Sequence, residues 1–170
     1  MTYAFGHLIG AWLIGKTYQW TTKKKIGHYT WFFLLLGGIL PDADYVLDWV
    51  FGLETHRTFS HSIFFVMAIP LLVYLIFTVF KPEDRKKFAI AIGAGISMHL
   101  FLDLFSTLGI PLLWPSTIYV AYNHLTFNPY IIPVLESSQL VLQKALKLAI
   151  VDMGLGTVWI FYLWWKNKEF

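Results

Sequence analysis

The chain of 170 residues contains no cysteine, which excludes disulfides, thiolate metal sites and cysteine nucleophiles together. Charge is also scarce. Only 14% of residues are Asp, Glu, Lys or Arg, against about 25% in an ordinary soluble domain. With 57% hydrophobic residues and a mean hydropathy of +0.59, so short a chain has too much surface for so few charges to cover, and a water-soluble monomer is not expected. No His-Glu-x-x-His occurs, which argues against intramembrane metalloproteolysis. No basic segment precedes the first apolar run, and Lys16 arrives only after it, so a cleavable signal peptide is not expected. Internal repeats and low-complexity tracts are absent as well. The length is that of one domain, 1–170.

What is present is a series of charge-poor stretches at 3–15, 26–40, 62–80, 88–111 and 148–165, each bounded by lysine or arginine clusters or by proline. They predict an all-α membrane protein, a bundle of about five transmembrane helices. The third stretch is the cleanest, with 19 uncharged residues, close to the ~20 that span the hydrocarbon. Lys16, Lys23, Lys24, Lys25, Lys81, Arg85, Lys86, Lys87, Lys166 and Lys168, ten of the 13 cationic residues, fall on one side if the spans alternate. Positively charged short loops remain cytoplasmic, so the N-terminus is expected outside and the C-terminus inside an inner, cytoplasmic membrane. Few cations are left for the outer face, and no nucleic-acid partner is expected. Between 112 and 147 four prolines border or interrupt an apolar segment, Pro111, Pro115, Pro129 and Pro133. An outer loop with an interfacial or re-entrant portion is expected there, with a helix starting near Glu136 and capped by Ser137 or Ser138.

Ionisable groups inside apolar spans are costly and mark functional sites by default. Here they recur at one depth. At ~1.5 Å per helical residue, Asp42 is roughly 25 Å from Lys25, His7 about as far from Lys23, His99 about 18 Å and Asp103 about 24 Å from Lys87, and His61 some 30 Å from Lys81. His99 and Asp103 stand four apart and project from one helix face. Asp42 and Asp44 follow Pro41, and His56 and His61 precede the third stretch. Imidazoles and carboxylates without sulfur suit zinc, manganese or iron. His7, Asp42, Asp44, His56, His61, His99 and Asp103 exceed one tetrahedral shell, and two ions sharing a bridging carboxylate would use them all. Asp152 and His28 are isolated and read as packing or interfacial residues, Ser60 and Ser62 as caps of the third helix, and Ser106 as a packing residue.

The combination Gly6-His7, Gly37-Gly38-Ile39-Leu40-Pro41-Asp42-Ala43-Asp44, His56-Arg57-x-x-Ser60-His61-Ser62, His99-x-x-x-Asp103 and Gly109-Ile110-Pro111-Leu112-Leu113-Trp114-Pro115 resembles the YdjM family of membrane-bound, metal-dependent hydrolases. The motifs span 6–115, about two thirds of the chain. More distantly, the order His, Asp, His, His-x-x-x-Asp is similar to that of bacterial zinc-dependent phospholipase C and the zinc single-strand nucleases, all-helical phosphodiesterases with three zinc ions. The resemblance implies a phospholipase C-like helical core with Asp42 or Asp44, His56 or His61, His99 and Asp103 on one metal, and Asp103 bridging to a second held by His7. Two departures stand out: nothing indicates the processed N-terminal amine that ligates metal in the soluble enzymes, and His124-Leu125-Thr126-Phe127-Asn128 offers an amide where their third zinc needs an acid. Two ions are therefore expected, with zinc favoured.

A metal pair implies hydrolysis by activated water. Asp44 is the preferred proton acceptor, and Arg57 is either a ligand for the substrate phosphate or an interfacial snorkelling arginine. Trp114, Tyr119 and Tyr122 would wall a mouth at headgroup depth, so a phosphoester or phosphodiester bond of a membrane lipid is the expected substrate, with Trp114 and Arg57 binding it. The competing expectation is a protein that binds or transports divalent metal or protons without hydrolysis.

Overall fold

A computed structural model describes residues 4–52, 57–81, 83–106, 109–122, 124–127 and 138–166. These form six α-helices: α1 (Ala4–Thr22), α2 (His28–Ile39), α3 (Asp44–Phe51), α4 (Ile63–Phe80), α5 (Arg85–Asp103) and α6 (Ser138–Trp165). Single 3-10 turns at Pro41–Ala43 and Phe59–His61 precede α3 and α4, and a hairpin of β1 (Ile118–Ala121) and β2 (His124–Phe127) follows α5.

Among the described residues two helices are long and apolar enough to cross a membrane, Ile63–Phe80 and Leu146–Trp165. At 18 residues, α4 measures about 27 Å, with Ser62 capping its start by accepting the Phe65 N–H. Several expected bounds shift. α1 does not stop at Gly15 but runs on through Lys16, whose ammonium lies over the rings of Trp12 (5.6 Å) and Trp31 (5.1 Å), a cation–π setting that accepts the charge. α2 has only 12 residues. α5 begins at Arg85 and ends at Asp103, where the Leu104 and Ser106 N–H groups fold back onto the Leu100 and Asp103 carbonyls.

The core forms around α5. Phe33, Phe77 and Phe88 pack mutually, with ring centroids 4.9–5.4 Å apart, joining α2, α4 and α5 at one end. Trp31, Leu34, Ala11 and Ala91 form a second buried group between α1, α2 and α5. Small residues permit these approaches. A Cβ on Gly95 would lie 2.2 Å from the Leu34 carbonyl oxygen, and one on Gly37 2.3 Å from that of Ile92, so α2 and α5 touch backbone to backbone. Pro70, inside α4, faces Gly93 of α5, where an added Cβ would lie 3.0 Å from the Pro70 ring.

α6 joins through α1, with Trp159 and Tyr162 edge-on to Trp12 at 6.1 and 6.3 Å. Asp152 is not an isolated packing residue: its carboxylate accepts the backbone N–H groups of Phe5 (3.1 Å) and Gly6 (2.7 Å). It thereby satisfies two of the donors that a helix start leaves without partners.

The segment after α5 is where the all-α expectation fails. The β1–β2 hairpin is antiparallel, with Ile118 opposite Phe127, and Val120 exchanges hydrogen bonds of 2.9 Å with Ile110. Gly109 makes this possible: its φ of +69° is left-handed and a Cβ would lie 2.7 Å from the Val120 oxygen. The capping role expected of Ser137 lies outside the described residues, as do Pro129 and Pro133.

Candidate metal centre

The buried ionisable residues arrive from four elements. His7 stands in the first turns of α1. The 3-10 turn led by Pro41 carries Asp42 off the end of α2, the turn Phe59–His61 delivers Ser60 and His61, and the last two turns of α5 place His99 and Asp103 one turn apart. His7, His61 and His99 are 0% exposed and Asp103 2%. Asp42, with a side chain 23% exposed, is the member that reaches the surface.

Asp42, His61, His99 and Asp103 each offer a ligand atom within 4.8 Å of the others. His61 Nε2 lies 3.3 Å from His99 Nε2, 3.4 Å from Asp42 Oδ1 and 3.5 Å from Asp103 Oδ2. His99 Nε2 lies 3.5 Å from Asp42 Oδ1 and 3.9 Å from Asp103 Oδ2. A tetrahedral shell at zinc–ligand distances of 2.0–2.2 Å has edges of about 3.3–3.6 Å, so four of these five separations already fit and the fifth is slightly long.

The protonation pattern fits as well. His99 Nδ1 lies 2.8 Å from the Gly38 carbonyl oxygen, which can only accept, so Nδ1 carries the proton and Nε2 presents its lone pair inward. His61 Nδ1 lies 2.9 Å from Ser60 Oγ. That hydroxyl donates to Asp44 Oδ2, and so accepts from His61 Nδ1–H. A histidine whose outer nitrogen donates to a carbonyl or a carboxylate-linked group is the usual arrangement behind a metal-binding imidazole.

His7 completes the cluster from the other side. Its ring stacks on that of His99 at 3.7 Å, and its Nε2 lies 3.5 Å from Asp103 Oδ1 and 3.9 Å from Asp42 Oδ2. Those are the carboxylate oxygens that His61 and His99 do not face at closest approach.

Without a cation the cluster holds its own charges. Burial would raise the Asp42 carboxyl, but the His61 and His99 imidazoles beside it hold it well below the usual carboxylate range. Burial would depress the His61 imidazole, yet Asp103 and Asp42 beside it push it above the ordinary histidine value. Two carboxylates thus retain negative charge where three imidazoles converge, which is an environment for a cation.

A sequence model of the YdjM inner membrane protein family matches residues 1–170. The chain belongs to that family. It is also similar to the uncharacterized protein YvsG of Bacillus subtilis (strain 168), 36% identical over 85 residues, covering 50% of this chain and 48% of that protein. The aligned part spans about half the length of that relative. No solved structure matches.

In this YdjM protein the expected ligands sort by position. Asp42, His61, His99 and Asp103 form the group of four, and His7 adjoins it. Asp44 stands behind His61: it takes the Ser60 hydroxyl, and its Oδ2 is 3.7 Å from Nδ1, the ring nitrogen facing away from the group. His56 lies outside the described residues. Arg57 is not an interfacial arginine, because it is 1% exposed. Its guanidinium donates to Ser106 Oγ (3.1 Å) and the Gly109 carbonyl (3.0 Å) and meets Asp103 Oδ2 at 3.4 Å. Its backbone is left-handed, with φ 58°, a conformation few side-chain-bearing residues take, and its carbonyl accepts from Tyr119 Oη–H. Trp114, 38% exposed, packs edge-on to Phe59 at 5.2 Å.

Ser60, expected as a helix cap, and Ser106, expected as a packing residue, instead bond His61 and Arg57, and the Gly38 carbonyl takes His99 Nδ1. Ser60 lies beside His61 in the chain, and that adjacency was the available signal. The other two partners come from 49 and 61 residues away, and no local pattern announces them.

Proposed function

We propose that the centre holds two divalent ions and hydrolyses a phosphoester or phosphodiester bond of a membrane lipid. One observation carries this reading: Asp42 and Asp103 each turn one oxygen toward His61 and His99 and the other toward His7, the layout of carboxylates shared between two adjacent ions. The donor set is nitrogen and oxygen, suiting zinc first and manganese or iron next. Ions held there would supply Lewis acidity to phosphoryl oxygens and would lower the pKa of water toward neutrality.

The chain's residues do the rest. Asp42 borders the opening, so the substrate phosphate approaches from its side. His61 and His99 would bind through nitrogens set by outer hydrogen bonds, and His7 through a ring stacked on that of His99. Ser60 and Asp44 orient His61, and in this arrangement Asp44 acts through Ser60 rather than on the water. Arg57 orients Asp103 and offsets its charge in the buried site. Trp114 and the exposed Tyr122 flank the same end of the bundle, where a lipid phosphate can enter with its chains still in the bilayer. α1, α2, α4, α5 and α6 are the five membrane-embedded helices of this reading. The metal end faces outward and the lysine-rich end inward, in agreement with the charge asymmetry of the sequence.

The test is purified full-length protein, loaded with zinc, manganese or iron, given a panel of phospholipids and assayed for diacylglycerol and phosphate. Metal-dependent release that disappears in His99→Ala and Asp103→Ala, together with loss of bound metal, is expected. A metal-loaded protein that releases nothing but passes zinc into proteoliposomes would replace the hydrolase with a transporter.

A further inference from the structure

At the end of the bundle away from the metal centre, two adjoining cavities of about 620 and 480 Å³ share Lys24, Lys25, Ile26 and His28. The outer one adds Lys16 and Lys23, and no acidic residue among the described ones lines it. The inner one runs between α1, α2 and α5 over Ile14, Leu34, Ile90, Ala91 and Ala94. The single acid among its lining residues, Asp84, is 2.9 Å from Lys87. The start of α2 also borders the inner cavity, where Gly27 leaves the first turn without a side-chain cap.

We propose that this pair of cavities binds one anionic phospholipid from the leaflet opposite the metal centre, with its phosphate among Lys23, Lys24 and Lys25 and an acyl chain along the inner cavity. Three features select that ligand. The cation excess favours a net negative headgroup, whereas the ammonium of a zwitterionic lipid would meet lysines of like charge. The apolar wall continues directly from the cationic mouth, matching a phosphate joined to a hydrocarbon chain rather than a small soluble anion. Tyr29, which lines the inner cavity, lies under the Lys81 ammonium at 4.9 Å, just past the end of α4, so the cavities sit about one 27 Å helix length from His61, which is interfacial depth. The proposal is independent of what the metal centre does.

The experiment uses the full chain in dodecyl-maltoside micelles, following thermal unfolding with dioctanoyl phosphatidylglycerol, dioctanoyl phosphatidylcholine or inorganic phosphate. A ligand of the folded state alone raises the unfolding temperature in a saturable manner, and this is expected for phosphatidylglycerol only. The exposed pair Lys24→Gln/Lys25→Gln should need at least tenfold more phosphatidylglycerol for the same rise. Ile90→Asn, at a position 72% exposed, should weaken the lipid effect while changing no charge on the lysines. Equal stabilisation by phosphatidylcholine, an effect reproduced by inorganic phosphate, or a wild-type response from either variant would each overturn the assignment.

Discussion

At the residue scale, the centre depends on groups that offer it no ligand atom themselves. Ser60 fixes the His61 ring by accepting from Nδ1 while donating to Asp44. Loss of such an outer partner weakens metal binding 10–100-fold, so Ser60→Ala should bind zinc correspondingly less tightly in a chelator competition, while His61→Ala should fail to compete at all. The same imidazole sets a pH dependence. Its raised pKa in the metal-free protein means that a proton on Nε2 opposes metal until the pH passes that value, so zinc affinity should climb as pH rises through and beyond the ordinary histidine value of 6.5. The stability contribution has the opposite sign: protonated His61 stabilises the metal-free fold fully below 6.5, and this is lost as pH rises through the raised value. Thermal unfolding of metal-free protein should therefore show that contribution declining toward alkaline pH, and saturating zinc should reverse the trend. A zinc affinity that falls over the same range would contradict this account of His61. The cluster of Asp42, His61, His99 and Asp103 was legible because an ionisable group in an apolar run has few other reasons to be there. Ser60 and Ser106 were not, because hydroxyls in or beside apolar helices usually return to their own backbone, as Thr78 does to Tyr74 at 2.7 Å.

At the element scale, the position of His99 follows from how closely α2 and α5 approach. Gly95 lies against Leu34 and Gly38 backbone atoms, at 2.2 and 2.8 Å from where a Cβ would stand, one turn below the His99 contact with Gly38. Gly95→Ala should force the helices apart, cost about 1–3 kcal/mol as overpacking does, and reduce bound metal by displacing His99. Gly154 of α6 has open space around it, so Gly154→Ala should keep its metal and gain up to about 1 kcal/mol from helix propensity. Thermal unfolding and metal analysis of the two variants distinguish close packing from a general intolerance of alanine. The long helices could be read from apolar length. α3, with eight residues, and the four-residue strands could not, since a short strand is defined by its partner more than by its own residues. β1 is held on its other side by Ile110, whose pairing with Val120, ten positions on, depends on the Gly109 backbone fitting against the Val120 oxygen.

At the scale of the whole molecule, the two ends differ in chemistry, and the sequence already displayed this through the placement of ten cations away from His7, His61 and His99. The structure turns that polarity into a measurable orientation, because a chain without cysteine accepts single labels without background. Tyr122 is 79% exposed beside the metal end, its N–H held by the Leu104 carbonyl at 2.8 Å. Trp20 is 73% exposed in the last turns of α1, with Lys23 5.8 Å from its ring. In intact spheroplasts, a membrane-impermeant maleimide should label Tyr122→Cys and spare Trp20→Cys until the membrane is permeabilised. The reverse pattern would place the metal centre on the cytoplasmic side. That outcome would leave the ligand geometry intact but change its setting: ions would be drawn from the cytoplasm, the lipid phosphate would come from the inner leaflet, and the lysine-lined cavities would face outward, against the general retention of positive loops inside. Labelling therefore tests whether charge asymmetry, the broadest signal in the sequence, and metal-site position, the most local one, report the same arrangement.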